Sequence, residues 1–138
     1  MADSVNVSHP SARRFLDALA QLERSSDVAA MDGVFADDAL LRRMTHGGQE
    51  QRTESAAEFW TAYRATFGEI VSAFTAVTEG PESVVLEWTS SGTLAAGAPV
   101  TYAGVSVLDL PTDDGALTGF RTYYDSAAFD AQSPPLGR

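Results

Sequence analysis

The chain has 138 residues, of which 44% are hydrophobic and 20% charged, and it contains no cysteine. This length and composition predict one globular domain spanning residues 1–138, with an ordered core over about residues 10–132, and exclude a disordered or fibrous chain. The formal net charge of -10 would repel nucleic acid and anionic membranes, so neither is an expected partner, and the missing cysteines exclude disulfide and thiol chemistry.

The N-terminal part of the chain carries two helix signals and one strand signal. Apolar residues recur at helical spacing over residues 12–22, which predicts an amphipathic helix. Asp27 is placed to cap a short second helix over residues 28–35. The segment "ALLRR" at residues 39–43 predicts a brief strand, and the polar, glycine-containing segment after it predicts a loop.

A third helix and four strands are predicted in the remainder of the chain. Ser55 and Glu58 have the spacing of a capping box, so we expect a helix from there to about Phe67. Beyond Gly68, runs of β-branched and aromatic residues with rough alternation are separated by turn-forming segments. These runs predict antiparallel strands over residues 69–78, 83–93, 100–110 and 116–125. Helices followed by such strands indicate an α+β domain with the helices on one face of the sheet.

Sequence signals for metal, cofactor, export or membrane insertion are missing. The two histidines, His9 and His46, form no metal-binding pattern, and no dinucleotide, P-loop or serine-hydrolase motif occurs. No apolar run reaches membrane-spanning length, and the N-terminus lacks the features of a secretion signal. The sequence therefore predicts a soluble cytoplasmic protein that uses no metal and no cofactor.

Alternation along the strands separates an inward face from an outward face. It divides the polar and aromatic cluster near the C-terminus, because Tyr124 points to one face while Arg121, Tyr123 and Asp125 point to the other. The inward aromatic and hydroxyl side chains are typical of an apolar pocket with scattered hydrogen-bonding groups, which suits a planar or polycyclic ligand. The residues expected in it are Trp60, Tyr63, Trp88, Ser90, Tyr102, Ser106, Phe120, Thr122 and Tyr124.

The outward face is apolar enough to predict an interface. An exposed patch of this kind on a monomer indicates a binding surface, so we expect a homodimer through the outer sheet face. Its predicted members are Val85, Ala103, Val105, Val107 and Tyr123. Arg121 and Asp125 share that face and are expected to form an ion pair there, along the strand or across the interface.

The order of elements resembles the SnoaL-like polyketide cyclase family, within the nuclear transport factor 2-like superfamily. The segments that carry the resemblance are "VFADDALL", "EFWTAYRATF", "VVLEWTSSGT" and "YAGVSVLDL" with "DGALTGFRTYYD". The resemblance implies a cone-shaped barrel of three N-terminal helices packed on a curved, mainly antiparallel sheet. It also implies an apolar pocket within the cone, whereas function varies among isomerases, cyclases, hydratases, epoxide hydrolases and non-enzymes.

Ketosteroid isomerase-like members need a tyrosine and two aspartic acids at positions that align with Phe15, Ser106 and Arg43. None of the three keeps that chemistry, because phenylalanine has no donor and arginine is no base at neutral pH. The alignment nevertheless directs Phe15 and Arg43 into the pocket, where both are expected to contact substrate. An inward arginine would need an anionic partner, either an internal carboxylate or the ligand.

Limonene epoxide hydrolase-like members need an arginine and two aspartates at positions that read Trp88, Ser90 and Thr122 here. No carboxylate is present there to activate water, so this mechanism is disfavoured as well. SnoaL-type cyclases use a late aspartate as base, and the resemblance implies Asp125 for that role. His46, in the predicted loop, is the only ordinary base outside the carboxylates.

These residues predict a cofactor-independent enzyme for a hydrophobic polycyclic or aromatic natural-product-like substrate. It would act by acid–base proton transfer in a cyclisation, isomerisation or dehydration, with His46 or Asp125 as base. Tyr63, Tyr102 or Tyr124 would hydrogen-bond the developing enolate. Two alternatives stay open: a binding protein that changes no bond, and a dimeric scaffold whose interior is filled by its own aromatic side chains.

Overall fold

The computed structural model describes residues 6–44, 54–124 and 127–131. The helices in these ranges are α1 (Pro10–Ser25), a 3₁₀ helix (Val28–Met31), α2 (Ala56–Thr66) and α3 (Ala127–Ala131). The strands are β1 (Phe35–Met44), β2 (Phe67–Glu79), β3 (Ser83–Leu94), β4 (Pro99–Asp109) and β5 (Leu117–Tyr124). Among the described residues, no helix is both long and apolar enough to cross a membrane.

Both long helices begin where local side chains satisfy their first backbone N–H groups. At α1, Pro10 supplies a preset first turn and the Nδ1 atom of His9 accepts from the Ser11 backbone at 3.1 Å. At α2, Ser55 and Glu58 form both reciprocal hydrogen bonds of the predicted capping box. The capping box is therefore confirmed, together with the amphipathic first helix.

The expected set of three N-terminal helices is not confirmed, because the second of them is shorter than predicted. The segment after Asp27 forms only a four-residue 3₁₀ helix, which ends at Met31 because Gly33, at φ 79°, turns the chain into β1. A third α-helix does occur, but it is the short α3, after the sheet. Along the described chain, α1 thus precedes the sheet, α2 lies between β1 and β2, and α3 follows β5.

The strands form a five-stranded, mostly antiparallel sheet in the order β1-β5-β4-β3-β2. The four predicted C-terminal strands are all present, and irregular register within β2 curves the sheet. The brief strand predicted at residues 39–43 is longer than expected, since β1 begins at Phe35 and pairs in parallel with β5. Closure of this sheet into a cone stays a prediction.

The predicted inward and outward faces of β3 are confirmed. In β3, Leu86, Trp88 and Ser90 are buried while Glu87 and Thr89 are exposed. The inner face packs against α1 and α2 in a core whose fully buried members include Phe15, Leu22, Leu41, Leu86, Leu108 and Leu117. This packing leaves the pocket described below between the two helices and the sheet.

Candidate functional site

A pocket opens between α1, α2 and the inner face of the sheet. Its cavity volume is about 90 Å³, well above the roughly 10–15 Å³ that one water molecule needs. The described residues expected to contact substrate line this pocket, namely Phe15, Arg43, Trp60, Tyr63, Trp88, Ser90, Tyr102, Ser106, Phe120, Thr122 and Tyr124. The pocket lining also contains residues that were not predicted there from the sequence, namely Leu19, Phe59, Thr66, Phe67, Ser72, Phe74 and Phe129.

Trp88 forms part of the pocket floor and is held there by two hydroxyl groups. Its indole N–H donates to the Ser106 hydroxyl at 2.9 Å, and Ser106 in turn hydrogen-bonds Thr122 at 2.8 Å. Gly104 lies directly opposite Trp88 on β4 and leaves space for the ring. These polar groups satisfy one another, so their main effect is to fix the orientation of the indole.

Tyr102 and Tyr124 are the phenols of the site without a hydrogen bond in the described part of the chain. Their rings meet edge to face with centroids 5.6 Å apart. Burial, followed by the neighbouring Tyr124, raises the pKa of Tyr102. Burial also raises the pKa of Tyr124, although the nearby Arg43 acts in the opposite direction. Both phenols are therefore neutral at physiological pH and can donate to a ligand oxygen.

Arg43 enters the pocket from β1 with an internal carboxylate as partner. Its guanidinium pairs with Glu54, donates to the Phe59 carbonyl at 3.3 Å and lies 4.1 Å from the Phe59 ring centroid. Residue 54 is held beside β1 by two backbone hydrogen bonds with Leu41, at 2.9 and 3.1 Å. The anionic partner that an inward arginine requires is thus Glu54.

Glu23, a half-buried carboxylate behind the pocket wall, was not predicted as a site residue from the sequence. Its oxygens accept from the Tyr63 hydroxyl at 2.7 Å and from the backbone and side chain of Ser72 at 2.9 and 2.7 Å. The signal available in the sequence was its spacing, because Phe15, Leu19 and Glu23 follow one another at intervals of four on α1. Glu23 therefore continues the stripe of α1 that faces the site.

Trp60 lines the pocket at the centre of an aromatic cluster. It is 2% exposed, and its ring packs against Phe59 and Tyr63 at 4.7 and 5.4 Å between centroids. Its indole N–H is buried and finds no acceptor within the described ranges. A buried donor of this kind is costly unless a ligand or water accepts from it.

His46 and Asp125, the two proposed bases, lie outside the described residues, and so does the ion pair expected between Asp125 and Arg121. Arg121 lies 3.4 Å from Asp109 instead. In sequence, His46 comes two residues after Met44 and Asp125 one residue after Tyr124, and the strands that lead to them run in parallel with Met44 paired to Tyr123. Within residues 6–44, 54–124 and 127–131, no aspartate, glutamate or histidine lines the pocket.

An α+β arrangement of this kind, with two α-helices on the inner face of a curved sheet and an apolar pocket between them, defines the nuclear transport factor 2-like class of folds. The chain belongs to the SnoaL-like domain family, whose model matches residues 12–120. A search of curated proteins gave no match.

Solved structures share the fold at low sequence identity. An LEH-like epoxide hydrolase from M. tuberculosis is 18% identical with a TM-score of 0.63, over 89% of this chain and 88% of that one. TerC, co-crystallised with polyporic acid, is 18% identical with a TM-score of 0.66, over 89% and 97%. AusH from Aspergillus nidulans is 14% identical with a TM-score of 0.68, over 88% of both chains.

Proposed function

We propose that the protein is a cofactor-independent enzyme that acts on a hydrophobic polycyclic or aromatic natural-product-like molecule by acid–base proton transfer. The reaction class would be a cyclisation, isomerisation or dehydration. The observation that carries this proposal is an apolar pocket in which two neutral phenols, Tyr102 and Tyr124, have no internal hydrogen-bond partner among the described residues. The co-crystal of TerC with polyporic acid supports a small-molecule ligand for a pocket of this fold.

The proposed step is removal of a proton from the carbon next to a carbonyl group. The C–H electrons move into the forming carbon–carbon double bond, and the carbonyl oxygen gains negative charge as the base takes the proton. Tyr102 or Tyr124 would donate a hydrogen bond to that oxygen. Tyr63 is less suited to this role because its proton already goes to Glu23. His46 or Asp125 would be the base.

Two other mechanisms known for this fold gain no support from the pocket. The positions of the epoxide hydrolase carboxylates are Ser90 and Thr122, which hydrogen-bond neighbouring hydroxyls and activate no water. At the position of the isomerase base stands Arg43, which pairs with Glu54. Similarity of fold therefore does not bring either mechanism to this chain.

The second candidate function is a binding protein of the same fold. The described pocket lining favours it, since it offers hydrogen-bond donors but neither a carboxylate nor an imidazole. A purely structural scaffold is less consistent with the indole N–H of Trp60, which is unsatisfied in the described part of the chain. The cavity of about 90 Å³ does not argue against a scaffold, because pockets for drug-sized ligands measure roughly 300–1,000 Å³.

Proton NMR in deuterated water separates these functions. The purified protein is incubated with a panel of cyclic and aromatic ketones, with heat-denatured protein as the blank. We expect enzyme-dependent exchange of the protons next to the carbonyl, and the order of rates would define the substrate class. Ligand line-broadening without proton exchange would overturn the proposed enzyme and support the second candidate, a binding protein.

We also propose that the outer sheet face forms a homodimer. The large hydrophobic residues that are exposed in the described chain, Leu40, Val71 and Tyr123, all lie on that face, with exposures of 60%, 68% and 42%. Val107, a predicted member of the exposed patch, is not exposed. Its exposure in the single chain is only 8%, and it lies between its strand neighbours Val85 and Arg121.

Tyr123→Glu should convert the dimer into a monomer, because the substitution places a charge in the apolar centre of the interface. Light scattering after gel filtration at micromolar concentration would measure the mass. Ala20→Glu adds the same charge at an exposed position of α1 and should leave the dimer intact. A monomeric parent protein would overturn the interface.

A further inference from the structure

Glu23 gathers three hydrogen-bond donors that come from separate parts of the chain. Tyr63 reaches it from α2, while the backbone and the hydroxyl of Ser72 reach it from β2. A carboxylate only accepts hydrogen bonds, so both hydroxyl groups must turn their single proton toward it. The negative charge thus decides the direction of each bond.

The same reasoning determines to which atom the hydroxyl of Ser90 donates its proton. The hydroxyl oxygens of Ser72 and Ser90 lie 2.6 Å apart, and either could donate by geometry alone. Because the Ser72 proton is directed to Glu23, Ser90 must be the donor in this pair. The chain of bonds therefore runs from Ser90 through Ser72 to Glu23, with Ser90 only 1% exposed to solvent.

This arrangement leaves only lone pairs for a ligand on this part of the pocket wall. Tyr63, Ser72 and Ser90 all line the pocket, and none has a proton left to offer. We propose that Glu23 is a positioning residue which makes this wall a hydrogen-bond acceptor, so that the site selects ligands with a donor group there and rejects groups that can only accept. This inference rests on the proposed function, since it requires a small-molecule ligand in the pocket.

Two further observations agree with this assignment. Burial and, next, the charge of Glu23 raise the pKa of Tyr63 well above its ordinary value, so the phenol keeps its proton and continues to donate to Glu23. On the same helix, the buried indole N–H of Trp60 lacks an acceptor in the described part of the chain. A ligand with a hydroxyl for the acceptor wall and a carbonyl for a donor would match both features.

The test compares substituents of equal size on one bicyclic ketone. Dissociation constants of 6-methoxy-1-tetralone and 6-ethyl-1-tetralone are measured by calorimetry, because methoxy only accepts and ethyl does neither. In the parent protein we expect methoxy to bind no more tightly than ethyl. In Glu23→Gln the hydroxyl protons are free to turn, so methoxy should bind roughly 3- to 10-fold more tightly than ethyl.

Glu82→Gln, which makes the same charge change at an exposed position between β2 and β3, should retain the parent ratio. The hydroxyl of 6-hydroxy-1-tetralone can donate, so the parent protein should bind this compound more tightly than the ethyl compound. If Glu23→Gln does not fold, Ser90→Ala replaces it and should remove that preference. If Glu23→Gln folds and its ratio of methoxy to ethyl dissociation constants equals that of the parent protein, the role of Glu23 is overturned, whereas the proposed function is unaffected. Failure of the parent protein to bind any of these ketones would overturn the proposed function, and this inference with it.

Discussion

His46→Ala should lower the rate of proton exchange next to a substrate carbonyl by a factor of roughly 10² to 10⁴. Imidazole is the commonest general base in enzymes and gives effects of this size, and the described pocket lining contains no aspartate, glutamate or histidine that could take this role. The rate is measured by NMR in deuterated water on the best ketone of the panel. Circular dichroism of the variant confirms that it remains folded.

The chain offers a matched control in its other histidine. His9→Asn removes that imidazole but keeps a side chain suited to cap α1, so the exchange rate should not change. Asp125→Asn tests the rival base. Loss of rate in Asp125→Asn with full activity in His46→Ala would transfer the role to Asp125, and full activity in both would contradict acid–base catalysis by either residue.

Gly104→Ala should lower the free energy of unfolding by roughly 1–3 kcal/mol and weaken ligand binding. A Cβ atom there would collide with the Tyr123 carbonyl oxygen and would lie 2.6 Å from the Trp88 ring. The backbone oxygen cannot move without disturbing the pairing of β4 with β5, so we expect the upper part of that range. The displaced indole would also lose its bond to Ser106.

Urea denaturation of the variant and its parent measures this change. Gly80→Ala is the control, because it adds the same Cβ atom between β2 and β3, where its nearest neighbour, the Ser83 carbonyl oxygen, lies at an ordinary contact distance of 3.5 Å. That variant should stay within about 0.5 kcal/mol of the parent. Equal stability of Gly104→Ala and its parent would show that the sheet yields at this position and would refute the packing of Trp88 described above.

Local patterns were sufficient to predict much of the fold and the pocket lining. The capping box needs only Ser55 and Glu58, and the burial of Trp88 and Ser90 follows from alternation within one strand. β1 was harder, because two aspartates interrupt its apolar pattern, and its parallel pairing with β5 depends on a strand at the other end of the chain. Such pairing is tertiary and leaves no local signal.

The role of Glu23 in the site could not be predicted from local sequence patterns either. A glutamate near the end of an amphipathic helix is normally solvated, and its partners Tyr63 and Ser72 are distant in sequence. Only the spacing from Phe15 and Leu19 indicated the correct face. The hydroxyls of Ser106 and Thr122 were predicted in the pocket, but their bonds to Trp88 and to each other could not be inferred without the register of β3, β4 and β5.

The parallel pairing of β1 with β5 has a consequence for how the protein is made. β1 emerges early from the ribosome, yet its neighbour in the sheet, β5, is the last strand to be synthesised. The edge of β1 that pairs with β5 therefore stays without its permanent neighbour until β5 is synthesised, and contacts between such distant segments slow folding. The nascent chain must keep this apolar segment from other partners until its C-terminus is complete.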